Sequence, residues 1–341
     1  MAYTIGIVHC YFGPLPNYFK LWLLSVAYNP SIDFLLYTDQ DLSHKPDNLR
    51  YFKTTLQQVE KLAQIKTGFH TLRIGRPYKL CDYKPMYGEI FQDDLSSYDF
   101  WGYCDSDLLL GDLRAFFTTE TLNKYDKLLP LGHLSLYKNN PLVNSRWRLE
   151  GGRFPLQDVI SQPENFAFDE WYGIYSIYEH HKFSFDKRVT NLGVIYALNS
   201  RFQLVSRSSD KYAKTSPDYP HQLFYWEEGK VLRAYWQDKK VKTDEFIYIH
   251  FFKRSFPSPE LSKISKCKRI FCTPKRFILS DAIEPISLKQ IKALNPYYGA
   301  WFEKIERKLR KKQGWLMKKL GLKKGLVKPP KRASVIARNI F

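Results

Sequence analysis

Residues 98–113 read Tyr-Asp-Phe-Trp-Gly-Tyr-Cys-Asp-Ser-Asp-Leu-Leu-Leu-Gly-Asp-Leu. The apolar, aromatic stretch Phe100–Cys104 reads as a buried strand. It ends on two carboxylates one residue apart, Asp105 and Asp107. Side chains two apart on an extended chain point the same way. Both can therefore reach one hard cation, which takes oxygen ligands. In an open α/β sheet, ligands bind just outside the carboxyl ends of the strands. An Asp-x-Asp placed there suits a divalent ion holding a diphosphate. The plainer alternative, a pair of exposed turn carboxylates or caps, fits poorly behind a buried aromatic strand. Asp112 is read as the N-cap of a helix over Leu113–Phe117 rather than as a third ligand.

The chain around this stretch has an α/β pattern. Tyr3–His9 reads as a strand, Tyr18–Tyr28 as an amphipathic helix and Ile32–Tyr37 as a second strand, an opening β-α-β unit. Leu56–Ile65 reads as a helix, and so does Tyr83–Phe91 with Pro85 in its first turn. Leu128–Tyr137, Thr190–Leu198 and Glu245–Phe252 read as further strands. The loop-rich segment Arg146–Glu164 is expected near a substrate. These elements predict a mixed, mostly parallel central sheet flanked by helices.

Composition narrows the partners. The chain has 341 residues with 24 Tyr, 24 Phe and 8 Trp, enough to bury a sizeable core. It has no run of 18 apolar residues, so no membrane span is expected. The start, Met-Ala-Tyr-Thr-Ile-Gly-Ile-Val, reads as a first strand and not as a signal peptide. Five cysteines without CxxC or zinc spacing point to reduced thiols and a cytoplasmic protein. The net charge of +19 is uneven: residues 300–341 hold 14 Lys/Arg and 2 Glu, about +12 of the total.

Further candidate site residues lie along the chain. Lys79-Leu80-Cys81-Asp82-Tyr83-Lys84-Pro85 sets two lysines and an aspartate at a helix start, where phosphate is favoured. Asp82 is a candidate acceptor from a ribose or base; an N-cap between solvated lysines is the equal alternative. Tyr11 and Asp39, at the ends of the first two strands, join the candidate donor-binding set with Lys79, Asp82, Lys84 and Asp105. His250 ends a late strand and is a candidate third metal ligand, with Lys253 as a phosphate partner. Asp169 and Glu170 stand at an expected helix start and are candidate bases for an incoming hydroxyl, or helix caps. Gly132–Asn139 and Arg188–Val194 are weaker candidates for facing acceptor and sugar, with His133 read as structural.

The tail has its own pattern. Tyr298, Trp301, Phe302, Ile305 and Leu309 recur at three- and four-residue spacing, with Lys304, Arg307, Lys308 and Lys311 between them. Trp315, Leu316 and Leu320 continue it. This is a basic amphipathic helix of the kind that lies in a membrane interface. A helix packed on the body with a solvated basic face is the alternative, as is nonspecific nucleic-acid binding.

Taken together, Lys79–Pro85, Tyr98–Asp107 and Gly111-Asp112 resemble bacterial glycosyltransferases of the GT-A fold, from capsular and other surface-polysaccharide gene clusters. The likeness spans roughly residues 3–255. It implies a GT-A-like, Rossmann-like domain over residues 1–256, with residues 257–341 as a basic, partly helical membrane-associating extension. It also implies a nucleotide-sugar donor and Mn²⁺ or Mg²⁺ on the diphosphate, held by Asp105, Asp107 and His250. Asp169-Glu170 matches loosely the place where inverting members keep their base. The expected reaction moves a sugar, from a UDP-sugar, to a hydroxyl of a lipid-linked glycan at the inner face of the plasma membrane, with no specific nucleic acid involved. The rival readings are a metal-dependent nucleotidyltransferase or phosphohydrolase, a basic nucleic-acid-binding protein, and a non-catalytic scaffold.

Overall fold

The computed structural model describes residues 2–130, 132–187, 195–197, 201–204, 217–250, 264 and 267–319. In chain order the first half comprises β1 (Ile5–Tyr11), α1 (Phe19–Ala27), β2 (Asp33–Thr38), β3 (Leu49–Lys53), α2 (Leu56–Thr67), β4 (Phe100–Cys104), β5 (Leu108–Leu110), β6 (Lys127–Leu128) and β7 (Leu134–Lys138). Six of these strands form one sheet in the order β3-β2-β1-β4-β7-β6. The first four in that order are parallel, while β7 runs against both β4 and β6.

Both faces of this sheet are covered, which explains the near-continuous apolar strands. Along β1, Ile5 and Ile7 pack with α1 residues Phe19, Trp22 and Val26, while Val8 faces the opposite core with α2 residues Val59 and Ala63. β4 alternates likewise, Phe100 and Cys104 against Trp101 and Tyr103. α2 starts at Thr55, whose side chain accepts from Gln58 N while Gln58 reaches back, a reciprocal cap, and ends at Gly68 in the left-handed region.

The strand order reverses at β1. The chain moves outward through β2 and β3, then returns to the other side of β1 as β4. A crevice opens at the carboxyl ends of strands at such a reversal.

The later chain adds β8 (Ile195–Ala197), β9 (Phe202–Leu204), β10 (Gln222–Glu227), β11 (Lys230–Gln237), β12 (Lys240–Phe246), β13 (Tyr248–His250), β14 (Arg269–Cys272) and β15 (Phe277–Ser280). A second, antiparallel sheet runs β12-β11-β10-β14-β15. This sheet runs across the expected division at residue 257. The pairing of β10 with β14 crosses that point, from Phe224↔Cys272 to Glu227↔Arg269. Arg201 and Asn295 tighten the join: Arg201 Nη1 donates to Glu303 Oε1 at 2.9 Å, and Asn295 Nδ2 to Gln222 O at 2.7 Å.

Other boundaries shift for local reasons. The helix expected over Tyr83–Phe91 is a chain of short turns, with a 3₁₀ turn at Lys84–Met86 around Pro85, since proline removes the N–H that a continuous α-helix would use. The expected strand Leu128–Tyr137 is divided into β6 and β7 by a turn in which Leu129 has φ 64°. The expected strand over Glu245–Phe252 is broken at Ile247; Phe251 and Phe252 lie outside the described residues. Of the expected strand Thr190–Leu198, residues 195–197 are described and extended. The tail helix spans Ala300–Lys319. No helix among the described residues is long and apolar enough to cross a membrane.

Candidate active site

The acidic pair leaves β4 at the crevice. Asp105 N still donates to His133 O at 2.8 Å, so β7 steers the chain as it exits the sheet. Asp105 is half-buried and Asp107 buried. β5 follows at once and pairs antiparallel with β13, setting His250 opposite Leu108. This short ladder brings His250 Nε2 to 3.2 Å from Asp107 Oδ2. One ligand atom each from Asp105, Asp107 and His250 lie within 4.8 Å of one another.

Gly111 permits the ladder. Its N–H donates to Ile247 O at 2.8 Å, and a Cβ there would lie 2.8 Å from Phe246 O. Trp226 Nε1 donates to Leu110 O at 3.0 Å, tying the second sheet to the same strand.

This donor set fits a divalent ion. Adjacent ligands of an octahedral ion with bonds of about 2.1 Å lie roughly 3 Å apart, close to the Asp107–His250 spacing. Two carboxylates and one imidazole suit Mn²⁺ and admit Mg²⁺. Three protein donors leave coordination positions for a ligand.

Lys84 sits behind the pair. Its ammonium donates to Asp105 Oδ1 at 2.7 Å, Gly132 O at 2.7 Å and Asp169 Oδ2 at 3.1 Å. Three N–H donors meet three acceptors. Lys84 therefore orients Asp105 and Asp169 and has no donor left for a phosphate. Burial alone would lower its pKa, but the charges of Asp105 and then Asp169 outweigh this and raise it well above the ordinary lysine value.

Asp169 is buried, and burial pushes its pKa well above the carboxylate range against the opposing pull of Lys84; Glu170 adds to the rise. Gly132 makes room for it, because a Cβ there would sit 2.5 Å from Asp169 Oδ2. Glu170 is half-buried beside it.

Lys79 and Asp82 take a different place from the one expected. Both are fully buried and paired at 2.9 Å. Asp82 accepts from Phe166 N at 3.0 Å and Phe168 N at 2.9 Å, and Lys79 donates to Glu164 O at 2.6 Å. A carboxylate closed in this way cannot meet a ribose. The pair instead fixes the segment that ends in Asp169.

Tyr11 and Asp39 stand at the carboxyl ends of β1 and β2. Tyr11 is half-buried; burial and then the charge of Asp107 raise its pKa. Asp39 is exposed and accepts from Gly13 N at 3.0 Å, holding the loop after β1. Lys253 lies outside the described residues, as do Arg188–Val194. Asp112 caps the turn Leu113–Ala115, accepting from Arg114 N and Ala115 N.

Two neighbours of the cluster carry little sequence signal. The His133 ring lies 3.8 Å from that of His250, centroid to centroid. His9 Nδ1 donates to Cys104 O at 2.9 Å, and burial lowers its pKa to about 4. His9 is thus neutral, and its buried Nε2 has no hydrogen-bond partner among the described residues. The sequence signal is only its parity on β1: on a buried strand, neighbouring residues face opposite cores.

The molecule is a mixed α/β protein with a Rossmann-like sheet and an Asp-Asp-His cluster at its carboxyl edge. The chain belongs to a family of unknown function, DUF6625, matched over residues 7–281. That match takes in both sheets, consistent with the strand pairing across residue 257. No curated protein matches the chain.

Proposed function

We propose that this protein is a metal-dependent glycosyltransferase that moves a sugar from a nucleotide-sugar donor, a UDP-sugar, to a hydroxyl of a lipid-linked oligosaccharide. The observation that carries the reading is the convergence of Asp105, Asp107 and His250 within 4.8 Å at the strand-order reversal. The resemblance of Tyr98–Asp107 to GT-A enzymes supports the same class.

Asp105, Asp107 and His250 would hold Mn²⁺ or Mg²⁺. A bound divalent ion supplies charge neutralisation for the leaving nucleoside diphosphate. Lys84 keeps Asp105 turned to the cluster. Asp169 or Glu170, beside the cluster, takes the acceptor proton if the reaction inverts. Tyr11 and Asp39 edge the crevice where the nucleoside would lie.

The test is a thermal-shift panel of nucleotide sugars with and without Mn²⁺, followed by product analysis. Ligand bound to the folded state raises the melting temperature. A metal-dependent shift with one donor and release of UDP support the reading. Release of UMP points to nucleotidyl transfer, and no metal-dependent shift with any donor defeats the proposal.

A further inference from the structure

The C-terminal helix does not enter the active-site argument, yet its first turn is tied to the body. Its first turn is anchored by the buried Arg201–Glu303 pair at 2.9 Å, and Arg201 Nη2 also donates to Tyr219 O at 2.7 Å. Beyond this anchor the helix forms one wall of a cleft of about 650 Å³. The turn between β14 and β15 and the helix Leu288–Leu294 form the others. Ile278, Leu294, Tyr298, Phe302, Ile305 and Leu309 make the cleft largely apolar. Several stand open to solvent: Tyr298 is 63% exposed, Phe302 40% and Leu309 62%.

The borders of the cleft are cationic. Lys275 and Arg276 are exposed on the β14–β15 turn. On the helix, Trp301, Lys304, Lys308 and Lys312 follow one another at three- and four-residue steps, and all four are exposed. They form a stripe beside the apolar one, led by a tryptophan 75% exposed. Glu306 is the carboxylate lining the cleft.

We infer that this face docks on an anionic phospholipid membrane, the cleft receiving an acyl chain while Lys275, Arg276, Lys304 and Lys308 meet the headgroup phosphates. Apolar side chains beside a lysine stripe and an exposed tryptophan match the acyl–headgroup boundary. Lysine stems can lie along the apolar surface while their ammonium groups reach the phosphates. A nucleic-acid backbone would use the lysines but leave the apolar cleft in water. A second copy of the chain would set two cationic faces against each other.

The test is co-sedimentation of the full chain with vesicles of phosphatidylcholine alone or mixed with phosphatidylglycerol. Binding is expected to the mixed vesicles and to weaken with salt. Two lysine reversals, K304E with K308E, should weaken it by roughly tenfold or more. Phe302→Asp with Leu309→Asp should abolish what binding persists at high salt. Equal binding to both vesicle types, no binding, or retention on duplex DNA without vesicle binding would overturn the inference. Nucleotide-sugar binding is measured separately, so either reading can fail while the other stands.

Discussion

His250 Nε2 lies 3.2 Å from Asp107 Oδ2 although 143 positions separate the two residues. The β5–β13 ladder closes that distance, and it does so with the register that pairs His250 with Leu108. The candidate metal centre is therefore a product of strand pairing as much as of the acidic motif.

Asp107→Asn keeps the shape of the side chain and removes its charge. The expected outcome is a folded protein whose melting temperature no longer rises with Mn²⁺ and UDP-sugar. Transfer should fall by more than the roughly 10–100-fold that loss of a supporting outer partner costs. Wild-type activity in this variant would remove the metal assignment. Chelation of the wild-type protein should reproduce the loss and added Mn²⁺ should reverse it.

Lys84→Met leaves Asp105 and Asp169 without their shared cation. Removing one member of a buried ion pair costs about 3–5 kcal/mol, so urea unfolding should show a loss of that order. Arginine is not expected to rescue it, because a planar guanidinium cannot place its donors as an ammonium does. A stability equal to wild type would show that the site tolerates the bare carboxylates.

Gly132→Ala places a Cβ 2.5 Å from Asp169 Oδ2 and 2.8 Å from its Cγ. The carboxyl must move, and such overpacking costs about 1–3 kcal/mol. Turnover should drop while metal-dependent donor binding changes little. Loss of donor binding with turnover in proportion would mean that Gly132 shapes the donor pocket instead.

Lys127 predicts a pH dependence of stability. It is fully buried, and burial lowers its pKa from 10.5 to about 7. Its Nζ meets Leu129 O and, at 3.2 Å, Ser135 Oγ, two acceptors for the two N–H bonds of a neutral amine. Between pH 7 and 10.5 the unfolded chain binds the proton that the folded one has lost, so stability rises with pH across that window, by at most about 1.4 kcal/mol per unit. Below pH 7 the cost of charging Lys127 is fully present. Lys127→Met should remove this part of the slope. Identical urea-unfolding slopes in variant and wild type would mean that the ammonium is stabilised where it lies.

The opening β-α-β unit, the buried aromatic strand and Asp105 with Asp107 were legible because each rests on local pattern: period-two alternation, a helical stripe, carboxylates two apart. His250 was legible only as a strand end, because its meaning depends on a partner far away in the chain. β3 and the antiparallel sheet were not read, since strands such as Lys240–Phe246 are largely polar and half-exposed. Lys79 and Asp82 illustrate the opposite failure. Charged residues at a helix start look like ligand groups, and only three-dimensional packing shows them closed off against Phe166 and Phe168. The pairing of β10 with β14 across residue 257 is likewise invisible to a reading of composition.

The late arrival of β13 has a consequence for the nascent chain. A polypeptide that stops before Tyr248 carries β1, β2, β4 and both aspartates, but it lacks the imidazole and the strand that pairs with β5. The three-donor cluster is therefore complete only in a chain whose synthesis has passed that point.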